Sequence, residues 1–209
     1  RRFSAYRARY TKPAWMWTYA TLSVGLAAGQ RGDTKVSIRL MEEGLRKVDS
    51  GMEGGSPEEV AELAGKARIA VGESWAEQFR KTRLVVPLDK SLAIKDRLFR
   101  QALGAFAKAE SEAPLELSLQ ASQLSGDLLV EYGKALLASQ RPKGLMGSDR
   151  EEYEEGLKTR ARSFFERSVD WYAGALERLE MGGGTPDLAI PIRKRLGDVQ
   201  ALLDSTMTV

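Results

Sequence analysis

Cysteine and histidine are both absent from this sequence of 209 residues. Without cysteine, a disulfide framework, a thiolate metal site and a cysteine nucleophile are excluded. Without histidine, the chain lacks the commonest general base and the commonest transition-metal ligand. Histidine-based triads and zinc centres are therefore impossible. Any side-chain chemistry must come from carboxylates, amines, hydroxyls and guanidinium groups.

The sequence also lacks a strong excess of either charge. It has 32 basic and 29 acidic residues, a net charge of +3, and the two signs are interleaved along most of the chain. Proteins that bind nucleic acid usually concentrate lysine and arginine on one face. We therefore predict no nucleic-acid partner.

One uncharged stretch, residues 13–30, follows the basic segment RRFSAYRARYTK. A basic flank before an apolar run is typical of signal peptides and membrane anchors. A membrane-anchored fragment, with residues 13–30 as the transmembrane or signal-anchor helix, is therefore one alternative. The stretch contains Thr18, Tyr19, Thr21 and Ser23, however, and this moderate polarity favours a helix buried in the protein core.

Proline and glycine divide the chain into segments with apolar residues three and four apart, which is the helical period. We predict helices over 14–30, 34–49, 57–83, 88–110, 115–139, 149–180 and 186–204, with a short helix within 1–11. Ser148 and Glu151 have the spacing of a capping box. No segment alternates like a strand, and the predicted fold class is all-α.

Residues 14–50 suggest a repeating unit. Gly25 lies in the first helix, and Gly32-Asp33 forms the turn. The second helix carries Ser37, Met41 and Gly44, which are small, bulky and small. Small residues permit close approach of two helix backbones, and the bulky residue fills the gap between turns. This pattern resembles the tetratricopeptide repeat, in which helix A and helix B form an antiparallel pair.

The same pattern occurs twice more. The helix-B residues are Ala102, Phe106 and Ala109 in one segment and Ser168, Tyr172 and Ala175 in another, behind helices with Gly72 and Gly126. The resemblance implies one repeat domain, 1–209, folded as a right-handed solenoid. Its units would span 14–50, 57–110 and 115–181, with Gly197 in an unpaired terminal helix, 186–204. The wider spacing in the later units implies elongated helices.

A second resemblance rests on the segments KSLAIKDRLFRQALGAFAKAE and RPKGL and on Glu151-Glu152-Tyr153. These are similar to long-helix repeat proteins of delta-proteobacteria, which include envelope and gliding-motility scaffolds. The resemblance implies a scaffold of a bacterial envelope or motility complex in the periplasm. A cytoplasmic location stays open.

The tetratricopeptide resemblance also implies a binding surface. In that family a partner peptide lies against the concave face lined by helix A. The corresponding positions here are Tyr19, Leu22, Leu26, Gln30, Lys66, Ile69, Glu73, Glu77, Gln120, Gln123, Asp127 and Glu131. This surface runs from apolar to acidic and favours a basic protein or peptide partner. No cofactor or metal is expected.

Three other motifs have simpler interpretations. Arg31-Gly32-Asp33 is expected to be a helix–helix turn rather than an integrin ligand. The acidic cluster at 151–155 is expected to stabilise a helix N-terminus rather than hold a metal. Ser91 and Lys95 are expected on an exposed helix face rather than in a catalytic dyad. An enzyme of unknown type is the remaining alternative to a non-catalytic scaffold.

Overall fold

The computed structural model describes residues 2–51 and 54–207, and within these ranges every regular element is an α-helix. The chain is therefore all-α, as predicted. The helices in chain order are α1 (Arg2–Arg9), α2 (Ala14–Gln30), α3 (Thr34–Asp49), α4 (Pro57–Lys81), α5 (Leu88–Glu112), α6 (Leu115–Leu137), α7 (Gly147–Met181) and α8 (Pro186–Met207).

Each predicted helix is present, with ends that differ by at most a few residues. The prediction of a capping box at Ser148 was wrong. Helix α7 begins earlier, at Gly147, and its N-cap residue is the extended Met146, whose side chain makes no capping hydrogen bond. The turn between α2 and α3 forms as predicted, because Gly32 has a φ of 83° and Asp33 accepts a hydrogen bond from the Val36 amide.

The chain divides into two compact units. Unit 1 comprises Arg1–Trp75 and Gly104–Ala121, and unit 2 comprises Ala76–Leu103 and Ser122–Val209. Both divisions fall inside helices, since α4, α5 and α6 each contribute residues to both units. Each unit is described by itself below.

In unit 1, α2 and α3 pack closely through glycine. A Cβ added at Gly25 would lie 2.7 Å from Met41 Cγ, and one added at Gly44 would lie 2.6 Å from a Leu22 methyl. The Ser37 hydroxyl crosses between the helices and donates a 2.8 Å hydrogen bond to the Gly25 carbonyl. The small, bulky and small residues of this pair therefore lie at the helix contact.

Two longer helix pairs repeat this contact. In unit 1, a Cβ at Gly72 would overlap the ring of Phe106. In unit 2, a Cβ at Gly126 would lie 2.5 Å from two ring carbons of Tyr172. The predicted helix-B residues of both pairs are at most 1% exposed: Ala102, Phe106, Ala109, Ser168, Tyr172 and Ala175.

The interiors of the units differ in composition. The core of unit 1 is mainly aliphatic and is built from Leu22, Met41, Leu45, Ala64, Ala67 and Val71. Unit 2 contains a run of ring contacts among Phe79, Phe99, Tyr132 and Phe164, with centroids 4.3 to 6.2 Å apart. Tyr132 contacts the other three rings and also carries a polar group, whose hydroxyl donates a hydrogen bond to Asp96.

Candidate functional site

The predicted helix-A surface of unit 1 is only partly accessible. Leu22 is 1% exposed and Ile69 is 5% exposed. Leu26 packs against the core of unit 1. These three side chains pack inside unit 1 and are not available to a partner. The glycines that bring the helices together also draw the neighbouring apolar positions into the core.

The polar positions on this surface of unit 1 do face solvent. They are Gln30, Lys66, Glu73 and Gln120, and Tyr19 is half-buried. Lys66 forms an exposed ion pair with Glu62, one turn earlier on α4, at 2.5 Å. Exposed pairs of this kind contribute little to stability, so these side chains can rearrange around a partner.

In unit 2 the predicted acidic positions are already paired. Arg195 Nε donates to both carboxylate oxygens of Asp127, at 2.9 and 3.1 Å. The Tyr172 hydroxyl donates to the same carboxylate at 2.7 Å. Glu131 accepts from Arg80 Nε at 2.8 and 3.0 Å. These two carboxylates serve contacts within unit 2, which leaves little free negative charge for a basic partner.

The other two predicted positions of unit 2 are Glu77, which is exposed, and Gln123, which is half-buried. Glu77 accepts a hydrogen bond of 2.6 Å from Lys81 on the same helix. That hydrogen bond lowers the pKa of Glu77 below its usual value of 4.5. The pair brings one acidic and one basic side chain together on the same helix, at 2.6 Å.

A concave apolar pocket lies beside the predicted surface in unit 1. Its volume is about 370 Å³, and its lining consists of Arg2, Phe3, Tyr6, Trp15, Met16, Tyr19, Ala20 and Glu59. The rings of Phe3 and Tyr19 are in contact, with centroids 5.8 Å apart. Tyr19 is the one predicted site residue that lines it. Aromatic side chains, methionine and arginine are the residues enriched at protein interfaces.

The sequence contains signals for some of these lining residues, although it does not bring them together. Phe3, Tyr6 and Tyr10 are spaced to share one helix face, and the pair Trp15 and Trp17 cannot both face the same side of a helix. In the structure Trp15 lines the pocket, whereas Trp17 lies under the guanidinium of Arg7, 5.8 Å from its ring centroid. The packing of α1 onto α2 creates the cavity, and no sequence pattern specifies that packing.

A second pocket, in unit 2, surrounds the buried amine of Lys95. It has a volume of about 580 Å³ and is lined by Arg80, Thr82, Arg83, Leu84, Val85, Lys95, Ala135, Ala138 and Gln140. The Lys95 amine donates hydrogen bonds to the carbonyls of Phe79 and Thr82, at 2.6 and 2.8 Å. Burial lowers the pKa of Lys95 to about 8. The amine satisfies carbonyl groups at the end of α4.

The expectation that Ser91 and Lys95 lie on an exposed face was wrong. They are 7% and 3% exposed. The Ser91 hydroxyl accepts from the Val85 amide and donates toward the Val85 and Leu88 carbonyls, at 2.8 and 3.1 Å, so it ties the segment before α5 to the first turn of that helix. Both side chains are bonded to the backbone rather than to each other.

Two further expectations from the sequence concern a metal site and a membrane helix. In the described residues no group of three or more carboxylates could hold a metal ion. Within the acidic cluster, Glu154 forms a paired ion contact with Arg141, at 2.7 Å for each oxygen. Across the described ranges no helix is both long and apolar enough to span a membrane. The uncharged α2 buries Thr18, Ala20, Thr21, Leu22, Gly25 and Ala28.

The chain matches no protein-family model, and neither a curated protein nor a solved structure is significantly similar to it. The functional argument therefore depends on the packing of the helices and on the surfaces described above.

Proposed function

We propose that this chain is a non-catalytic, tetratricopeptide-like module that binds a partner protein. In this proposal α2/α3, α4/α5 and α6/α7 are successive antiparallel repeat pairs of a right-handed solenoid, and α8 is the unpaired terminal helix. The resemblance to delta-proteobacterial scaffolds suggests a bacterial envelope or motility complex as its setting.

The observation that carries the proposal is the recurrence of one contact. A central glycine of the first helix lies against the bulky residue of the second in each pair: Gly25 with Met41, Gly72 with Phe106, and Gly126 with Tyr172. The bulky residue differs each time, but the small partner does not. Repeated use of one packing solution along a chain is typical of repeat scaffolds, whose function is to present surface.

The surface left for a partner in unit 1 is narrower than the sequence suggested. The exposed helix-A positions there are Gln30, Lys66, Glu73 and Gln120. These residues present hydrogen-bonding groups and both charges rather than a continuous acidic strip. We infer a partner held by mixed polar contacts along these helices, together with apolar contacts near Tyr19.

A photo-crosslinking experiment tests this proposal. A benzoylphenylalanine side chain is introduced at Gln30, Lys66 or Glu73, each exposed on α2 or α4, and the protein is irradiated in cells of its source organism. The matched controls are Lys35 and Arg39, which are also exposed but lie on α3. We expect the same partner to be captured from the α2 and α4 positions and not from α3.

Adducts of equal yield from α3, or no protein adduct from any α2 or α4 position, would argue against a partner on the helix-A surface. Mass spectrometry of the covalent adduct identifies the partner, so no candidate has to be chosen in advance. Each substituted position is exposed, so the added ring does not have to enter the core.

A further inference from the structure

Most of the lining of the aromatic pocket in unit 1 comes from a basic segment of the chain. Residues 2–20 contain Arg2, Arg7, Arg9 and Lys12 and no acidic residue. We propose that the pocket binds an acidic segment of a partner protein and receives one bulky apolar side chain from it. The inference rests on the proposed function, in that the ligand is a protein.

The apolar part of the inference follows from the lining. Phe3 is 48% exposed and Met16 is 38% exposed, so apolar surface is presented to solvent at the pocket mouth. The volume of about 370 Å³ lies near the lower end of the range of about 300–1,000 Å³ for small-molecule pockets. A pocket of this size suits one or two large side chains. Buried aromatic and aliphatic anchors supply most of the energy in protein interfaces.

The acidic part follows from the charges that remain unpaired. Arg7 forms an ion pair with Glu43 at 2.7 Å. Arg2, Arg9 and Lys12 have no ion-pair partner among the described residues. Arg2 also lines the pocket, so it places a guanidinium at the pocket wall. Carboxylates beside the anchoring side chain would pair with these groups and be steered toward them.

Glu59 is the acidic member of the lining, and it has a separate explanation. It lies in the first turn of α4, where a carboxylate stabilises the helix dipole. With Glu58 beside it, Glu59 would favour a basic ligand, opposite to the effect of Arg2. Substitutions at Arg2 and Glu59 should therefore have opposite effects on an acidic ligand and on a basic one, and together they distinguish the two.

An anionic membrane surface is the other ligand that basic and aromatic side chains attract. Two features favour a protein segment. The apolar surface is concave, which suits an inserted side chain more than a flat lipid interface. The carboxylate of Glu59 in the lining would be repelled by anionic headgroups. Vesicles are therefore included as a separate arm of the test.

The test is a selection of displayed random peptides on the full chain, followed by fluorescence anisotropy of the enriched peptides. The variants are Met16→Glu, which blocks the pocket mouth, Arg2→Glu, Glu59→Gln, and Arg39→Glu as a charge-reversal control on α3. We expect enrichment of acidic residues beside Phe, Trp, Leu or Met. Affinity should fall about tenfold or more with Met16→Glu and Arg2→Glu and stay unchanged with Arg39→Glu. It should stay equal or rise with Glu59→Gln.

Several results would overturn the inference: no enrichment, a consensus rich in lysine and arginine, or peptides that bind Met16→Glu as well as the unsubstituted chain. Binding to phosphatidylglycerol vesicles that Met16→Glu and Arg2→Glu abolish, without an acidic peptide consensus, would assign the surface to membranes instead. The crosslinking experiment on Gln30, Lys66 and Glu73 is independent of all these outcomes. A partner captured there, with a negative selection here, would leave the scaffold proposal standing.

Discussion

Gly126 of α6 lies against the ring of Tyr172 of α7, so closely that a Cβ on Gly126 would be 2.5 Å from the ring carbons Cε1 and Cζ. The same ring carries the hydroxyl that donates to Asp127, the residue after the glycine. One side chain therefore fixes both the distance between the helices and a partly buried polar contact.

We predict that Gly126→Ala destabilises unit 2 by about 2–4 kcal/mol, because overpacking shifts the Tyr172 ring and its hydrogen bond to Asp127. Gly156→Ala on α7 is the matched control. An added Cβ at Gly156 meets nothing within 4 Å. Alanine there should stabilise the helix by up to about 1 kcal/mol. Urea denaturation measures both, and equal effects at the two glycines would refute the close-approach argument.

A second prediction concerns buried hydroxyls of unit 1. Thr21 is fully buried, and its hydroxyl has no hydrogen-bond partner among the described residues. Ser37 is also buried, but its hydroxyl bonds the Gly25 carbonyl at 2.8 Å. Thr21→Val should therefore be neutral or stabilise by about 1 kcal/mol, whereas Ser37→Ala should destabilise by about 1 kcal/mol. Thermal denaturation followed by circular dichroism compares them, and a large loss with Thr21→Val would show a bonded hydroxyl.

The third prediction concerns the ion network around Arg68 in unit 1. The Arg68 side chain is 3% exposed and pairs with Asp49 and Glu112, each at 2.6 Å, while Lys108 also reaches Asp49 at 2.7 Å. Burial alone would raise the pKa of Asp49, but hydrogen bonds from Lys108 and Arg68 outweigh it and lower the pKa below 3.8. The stability from this carboxylate is thus present above pH 3.8 and is lost as the pH falls through the lower folded-state value.

We expect Asp49→Asn to cost about 2–4 kcal/mol at neutral pH, because it leaves a buried guanidinium with one partner. Glu62→Gln removes an exposed pair with Lys66 and should cost less than about 0.5 kcal/mol. Urea titrations at neutral pH and below pH 4 make the comparison. Asp49→Asn should also show a weaker loss of stability in acid, and an unchanged acid profile would contradict the assignment.

The fourth prediction uses the buried amine of Lys95. Its pKa in the folded chain is about 8, compared with 10.5 for an exposed lysine. Between these values the unfolded chain binds the extra proton, so stability should rise with pH by about 2 kcal/mol from pH 8 to pH 10. Lys95→Met should abolish most of that rise. A profile that stays the same in Lys95→Met would show that other groups cause it.

Above about pH 10 the stability of unit 2 should fall with rising pH instead of increasing. Burial and the hydrogen bonds to Asp96 and Asp127 raise the pKa values of Tyr132 and Tyr172 above 10.0. The unfolded chain then loses protons that the folded chain keeps, and folding stability falls as the pH rises. Tyr132→Phe should reduce that fall, which tyrosinate absorbance and denaturation curves at high pH can follow together.

Much of the fold could be predicted from sequence because its signals are local. Proline and glycine mark the helix ends, and α2 and α3 were predicted with the bounds that they have in the structure. Small residues spaced about two helical turns apart also identified Met41, Phe106 and Tyr172 as contacts between helices, since steric demand for a small neighbour leaves a trace in the sequence.

The candidate site was harder to predict, because the pairing and burial of its charged side chains depend on residues far along the chain. In the sequence, nothing distinguishes Asp127 from an unpaired carboxylate. Its partner, Arg195, lies far along the chain on α8. Similarly, the sequence gives no sign that Lys95 is buried, whereas in the structure its amine donates to a carbonyl near the end of α4. Long side chains find such partners through tertiary structure, and helical periodicity carries no information about them.

Two glycine–ring contacts join α6 and α7, and their spacing along the sequence is the same on both helices but runs in opposite directions. Gly126 lies against Tyr172, and Gly133, seven residues on, lies against Phe165, seven residues back. Seven residues are close to two full turns, whereas one residue rotates a helix by about 100°. A single-residue insertion between the two glycines would therefore turn one of them away from its ring. Between these two contacts, a change of length keeps both glycines against their rings only if it adds or removes whole helical turns on α6 and α7 together.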